Sequence, residues 1–191
     1  MISDRHLAAC AAAAYVAVPR WFRDDVHACA SAEGTATIVA FRGTQDVRDW
    51  LRDFDALPCE DPDLGFCHAG FLSGVIGVEG QMRQDLRSCR PIVTGHSLGG
   101  ALALIFAPKL IAAGQPPQAV VTFGAPRPGF AKLRQVLSAV TELRLYRCGA
   151  DPVPEVPEWP YVDAGPRVEI GKPTLDPFAD HAIAGYIAVL R

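Results

Sequence analysis

The chain has 191 residues, half of them apolar and a fifth charged, with 18 basic against 21 acidic side chains for a net charge of −3. Such a composition fits one ordinary globular domain and excludes a disordered, collagen-like or coiled-coil chain. No Lys/Arg-rich run marks a nucleic-acid surface and no apolar run reaches the ~18 residues of a membrane span, so neither kind of partner is expected.

At the N-terminus, Arg5 and His6 ahead of the Ala-rich stretch Leu7 to Val18 look superficially like a signal peptide. Asp4 and the weak hydrophobicity of alanine count against that. Leu7, Cys10, Ala11, Ala14 and Tyr15 keep helical spacing until Pro19 stops the pattern, so a first helix of the folded protein is expected. On this reading a cytoplasmic, bacterial or phage soluble protein is favoured, with secretion as the alternative.

Val26 to Ser31 and Thr35 to Phe41 predict a hairpin around Glu33-Gly34. Arg42-Gly43-Thr44 follows. Then Val47, Trp50, Leu51 and Phe54 share one face of a short helix whose other face carries Asp46, Arg48, Asp49, Arg52, Asp53 and Asp55, up to Pro58. A Pro/Asp/Gly loop leads to His68-Ala69-Gly70-Phe71, and Glu79 to Ser88 reads as a helix. Arg90 to Thr94 predicts a strand, Ala101 to Ala113 an apolar helix ending at Gly114, Ala119 to Phe123 a strand, Ala131 to Ser138 a helix, and Thr141 to Cys148 a strand. After a proline-rich connection, one amphipathic helix is expected from Asp180 to Leu190, with Ile183, Tyr186, Ile187 and Leu190 on its buried face. Strands alternating with helices predict a mostly parallel sheet covered on both sides.

Cys10, Cys29, Cys59, Cys67, Cys89 and Cys148 form no CxxC pair and no Cys/His cluster with zinc spacing, so no metal is expected. An even count permits disulfides, but at this density reduced cysteines packed as small hydrophobes are expected for the most part. Cys59 and Cys67, on either side of a short loop, are the first pair to test.

Chemistry enters at Gly95-His96-Ser97-Leu98-Gly99. A GxSxG pentapeptide arises by chance in roughly one chain in twenty of this length, so it is weak alone. Between a strand and a helix it is informative, because the sharp turn lifts the serine hydroxyl above the sheet and sets it at a helix N-terminus where free N–H groups face a developing oxyanion. Such a serine needs a base and an orienting acid, in the order Ser, acid, His. His181 is the one histidine after Ser97 and becomes the base by elimination. Asp151, just beyond the strand ending at Cys148, fits the acid. Asp163 and Asp176 fall in irregular segments, and Asp180 is too close to His181 in sequence and reads as a helix N-cap. His68 and His96 read as structural.

With these residues placed, the chain resembles the class 3 lipase family, which includes fungal triacylglycerol lipases and feruloyl esterases of α/β-hydrolase fold. The resemblance rests on FRGT (41–44), HAGF (68–71), TGHSLGGALA (94–103), TFGAPRPG (122–129), DPVP (151–154) and His181. It implies a serine ester hydrolase acting on acylglycerol or other lipid-like esters, with Ser97 as nucleophile, Asp151 as acid and His181 as base. It further implies an oxyanion hole from the amides of Thr44 and Leu98, with the Thr44 hydroxyl as a further donor, and no cofactor. It makes residues 1–191 one domain and 45–57 a lid, whose Val47, Trp50, Leu51 and Phe54 cover the acyl pocket and meet a lipid surface transiently. The chain departs from the family in its compact Ser-to-His half, from which a soluble or short-chain ester is expected. Acyl transfer or peptide hydrolysis on the same fold, and a catalytically silent binding protein, are the alternatives.

Overall fold

The computed structural model describes residues 2–52 and 55–191. In chain order the elements are α1 (Asp4–Ala13), β1 (Trp21–Arg23), β2 (Val26–Glu33), β3 (Ala36–Phe41), α2 (Val47–Arg52), β4 (Pro58–Asp61), β5 (Gly65–His68), α3 (Ala69–Leu86), β6 (Ile92–His96), α4 (Leu98–Ala112), β7 (Ala119–Phe123), α5 (Ala131–Leu137), β8 (Leu143–Cys148), a 3-10 turn at Val153–Glu155, β9 (Arg167–Ile170), α6 (Pro177–His181) and α7 (Ile183–Val189). The main sheet runs β1-β2-β3-β6-β7-β8-β9. It is antiparallel as far as β3 and parallel from β3 onward.

Period-two alternation divides the strand side chains between two buried layers. Val39, Phe41, Val93, Val120 and Leu145 pack with α3, α4 and α5 on one face. Ile38, Ile92, Val121, Phe123 and Cys148 pack with α1 and α7 on the other. The middle strands, covered twice, read as continuous apolar runs for this reason. Helix α4 is apolar all round because the sheet, α3 and α5 surround it, and eleven of its residues are buried. Helix α1 is capped by the Ser3 side chain and buries Leu7, Ala8 and Ala11. Its Asp4 pairs with Arg144 and Tyr146 of β8.

Besides the short edge strand β1, which the sequence did not signal, four elements depart from the sequence reading. Helix α3 starts at Ala69, ten residues ahead of the expected helix. Its glycines weaken the helical signal, yet they admit the neighbouring strands: a Cβ at Gly74 would sit 2.6 Å from Val26 Cγ2. The supposed loop before it is the β4–β5 hairpin, in which Cys59 stands opposite Cys67; all six cysteines are thiols. Edge strand β9, hidden among prolines and glycines, pairs with β8. The single last helix is two, broken at Ala182, whose φ of −61° and ψ of 129° are extended.

Candidate active site

Strand β6 runs into Ser97, which adopts φ 57° and ψ −130°, a positive-φ backbone that a residue with a side chain rarely takes. The flanking glycines make the turn sterically possible. A Cβ at Gly95 would lie 2.2 Å from the Gly99 carbonyl oxygen, and one at Gly99 would lie 2.2 Å from that of Phe41. The Ser97 amide donates to the Phe123 carbonyl at 3.0 Å, which ties the turn to β7.

Asp151 follows β8, as expected, and is fully buried. Its Oδ1 and Oδ2 accept from His181 Nδ1 at 2.9 and 2.8 Å. Oδ1 also accepts from the Val153 amide at 2.9 Å, Oδ2 from the Tyr186 hydroxyl at 2.5 Å, and the Asp151 carbonyl from Arg147 Nε at 3.0 Å. Burial and the adjacent Asp151 charge push the Tyr186 phenol far above its ordinary range, so it remains a donor. A carboxylate only accepts, so the proton of neutral His181 is on Nδ1 and the lone pair is on Nε2. His181 Nε2 and Ser97 Oγ are both buried, and neither has a hydrogen-bond partner among the described residues. Asp151 and His181, 30 positions apart in sequence, are thus joined by a buried hydrogen bond, and Ser97 is buried next in sequence to His96, whose ring meets that of His181.

His96, next to Ser97, is a structural histidine, as expected, though it touches the site directly. Its ring lies 4.6 Å from that of His181, centroid to centroid. Nε2 is 2.7 Å from the His181 carbonyl oxygen and must donate to it, which leaves Nδ1 to accept from Tyr15 Oη at 2.8 Å. Burial, reinforced by His181, holds the His96 pKa down at about 3. The unfolded histidine titrates near ~6.5, so below that pH the unfolded chain binds a proton that the folded chain refuses, and stability falls as pH drops toward 3. Between pH 7.5 and 5.0 this group alone should cost about 2 kcal/mol. Urea unfolding at the two pH values should show a drop smaller by about that amount in His96→Gln. Equal drops in parent and variant would refute the assignment.

His68 is likewise structural: its Nδ1 accepts from the Phe71 amide at 3.4 Å to cap α3, and its ring stacks on Phe71. Asp180, expected as an N-cap, is not one. Asp176 caps α6 by accepting from the Phe178 amide, whereas Asp180 is buried and accepts from the amides of Ala150 and Thr174. The sequence reading also missed Arg127 of the APRPG segment. It donates to the carbonyls of Glu155 and Pro157 and pairs with Glu155 and Asp163, which Arg167 pairs with as well. This network holds the stretch after Asp151. The clustered arginines and carboxylates of 155–167 were its only sequence trace.

Thr44 follows β3 and Leu98 opens α4. Phe41 of β3 stands beside Gly95 of the parallel strand β6, and three residues onward along each chain segment are Thr44 and Leu98. Helix α2 contains Val47, Trp50 and Leu51; Phe54 lies outside the described residues. Trp50 stacks on Phe71, while Arg48 pairs with Asp176 at 2.8 Å and lies over the Phe178 ring.

A mostly parallel sheet between two helical layers, with a strained serine turn after a central strand, is the α/β-hydrolase fold. The solved triacylglyceride lipase of Rhizomucor miehei shares it, with a TM-score of 0.77 at 22% identity, covering 87% of this chain and 78% of that one. Residues 38–161 match the family described as Lipase (class 3), and the chain belongs to that family. Lipase A of Sodiomyces alcalophilus is 32% identical over 78% of this chain and 46% of its own, and the secreted mono- and diacylglycerol lipase A of Penicillium cyclopium is 29% identical over 73% and 49%. The chain spans about half the length of these relatives.

Proposed function

We propose that this chain is a serine ester hydrolase that acts through an acyl-enzyme on acylglycerols or other lipid-like esters. The observation that carries the reading is His181, whose Nδ1 proton is fixed by Asp151 and whose Nε2 is buried without a partner among the described residues, as is the hydroxyl of the strained Ser97. Ser97 Oγ attacks the ester carbonyl as His181 Nε2 takes its proton. Asp151 keeps the tautomer and stabilises the imidazolium that forms. The Leu98 amide, at the N-terminus of α4, and the Thr44 amide hold the oxyanion. His181 then protonates the leaving alcohol, and water repeats the sequence on the acyl-enzyme.

We read residues 1–191 as one domain with a lid at 45–57. The α2 contacts support this: Trp50 packs toward α3, and Arg48 reaches Asp176, five residues before His181. Opening α2 would release an apolar face to a lipid surface. Among the described residues no helix is long and apolar enough to cross a membrane. Secretion draws support from the Penicillium relative, which is named as secreted; the cytoplasmic expectation draws none.

A fluorophosphonate probe should label Ser97, and p-nitrophenyl esters of rising acyl length should be hydrolysed with rates that favour the short chains, beside a slower emulsified triacylglycerol. Absence of both labelling and turnover would sink the reading. Partition of the acyl group to added alcohols or amines in preference to water would make the chain an acyltransferase instead.

A further inference from the structure

Asp180 stands out as a buried carboxylate with no part in the mechanism above. It is 3% exposed, and such a charge is retained inside a protein only where donors compensate it. Its Oδ2 accepts from the Ala150 amide at 2.8 Å and the Thr174 amide at 3.0 Å, and its Oδ1 lies 3.2 Å from the latter. These amides hold its carboxyl below the usual carboxylate range. The neighbours on both sides matter. Ala150 directly precedes Asp151, and Asp180 directly precedes His181.

The two dipeptides Ala150-Asp151 and Asp180-His181 are therefore linked twice. One link runs from the Ala150 backbone to the Asp180 side chain, the other from the His181 side chain to the Asp151 side chain. Together they close a ring that fixes the loop after β8 against α6. Gly149 is shaped to admit it: its φ is +53°, and a Cβ there would lie 2.6 Å from Asp180 Oδ2. Since α6 is a single turn that ends at His181, the helix itself gives that residue little anchorage.

We infer that Asp180 is a positioning residue, whose bonds to the Ala150 and Thr174 amides set the distance and angle at which His181 meets Asp151. The inference rests on the triad reading above. It acts through geometry, where a misplacement of about 1 Å costs roughly 10²-fold in rate. The loss should appear in kcat, because no substrate contact is removed.

The test compares the parent with Asp180→Ala, Asp180→Asn and Gly149→Ala on a short-chain p-nitrophenyl ester, with rates expressed per site titrated by a fluorophosphonate. Asp180→Ala should lose about 10²-fold in kcat with KM within about threefold. Asp180→Asn keeps an oxygen for both amides and should recover to within about tenfold of the parent. Gly149→Ala, which drives a methyl into the Asp180 carboxylate, should repeat the loss from the other side and serves if Asp180→Ala does not fold. Parental kcat per site in the Ala variants, or an Asn variant as slow as Ala, overturns the inference. Failure of the triad reading is separable, since it would show as parental turnover in Ser97→Ala.

Discussion

Ser97→Ala lowers kcat on a short-chain p-nitrophenyl ester by at least ~10⁴-fold, and Ser97→Gly does the same while raising the melting temperature. Loss of the nucleophile leaves only oxyanion binding and positioning, which accounts for the small residue of rate. The stability gain follows from the backbone. Ser97 is held at φ 57° by the hydrogen bond that its amide donates to the Phe123 carbonyl and by the packing of the two glycines around it. A side chain in that region costs about 1–3 kcal/mol, which glycine avoids. Glycine gives back about 0.5–1 kcal/mol in extra freedom of the unfolded chain. The net is about 1 kcal/mol, or roughly 2–4 °C for a protein of this size. Calorimetry beside the ester assay checks both halves. A Ser97→Ala protein that still turns over at the parental rate ends the proposed function.

Asp151→Asn has nearly the same shape and loses about 10⁴-fold in kcat with little change in KM. The reason is the tautomer. An asparagine has one oxygen for the two carboxylate positions, and His181 Nδ1 lies 2.9 and 2.8 Å from those positions, so in either orientation an NH₂ donor faces Nδ1; when Nδ1 accepts from it, the proton moves to Nε2 and the imidazole has no lone pair for Ser97. With its oxygen in the Oδ2 position it keeps the Tyr186 hydroxyl and sets NH₂ against the Val153 amide, and turned the other way it keeps the Val153 amide and sets NH₂ against the Tyr186 hydroxyl. Either way the base is lost while the fold remains. The far-ultraviolet dichroism should match the parent, and an Asp151→Asn rate within tenfold of the parent would remove Asp151 from the triad.

Much of this site is legible in the sequence because its parts are local or ordered. A glycine-flanked serine between an apolar strand and an apolar helix describes its own turn, and the order of serine, acid and histidine leaves few choices in a chain with one late histidine. The two-sided burial of the sheet is legible in runs such as TIVAF and AVVTF. What the sequence withholds are contacts made by closure. Tyr186 reads as a core position on an amphipathic helix, and its hydroxyl finds Asp151 only when α7 docks beside β8. Tyr15 reads as one more residue of the first helical pattern, yet it lies past the end of α1, where it meets His96 from β6. Asp180 has the composition and position of a cap, but the cap four residues earlier already serves α6, which frees it for Ala150. The continuous pattern from Asp180 to Leu190 hides a break, because the His181 carbonyl bonds to His96 rather than forward into a helix.

The division of the core between the two faces of the sheet has a practical corollary for engineering. Tyr15, His96, Asp151, His181 and Tyr186 all communicate with the smaller layer beneath α1 and α7, whereas the larger layer under α3, α4 and α5 makes up most of the remaining apolar interior. Mutational tolerance should therefore be lopsided. Libraries that repack the part of the larger layer away from Phe41, Phe71, Trp50 and Leu98 can harvest thermal robustness with the chemistry intact, while conservative swaps in the smaller layer will surface first as changes in turnover.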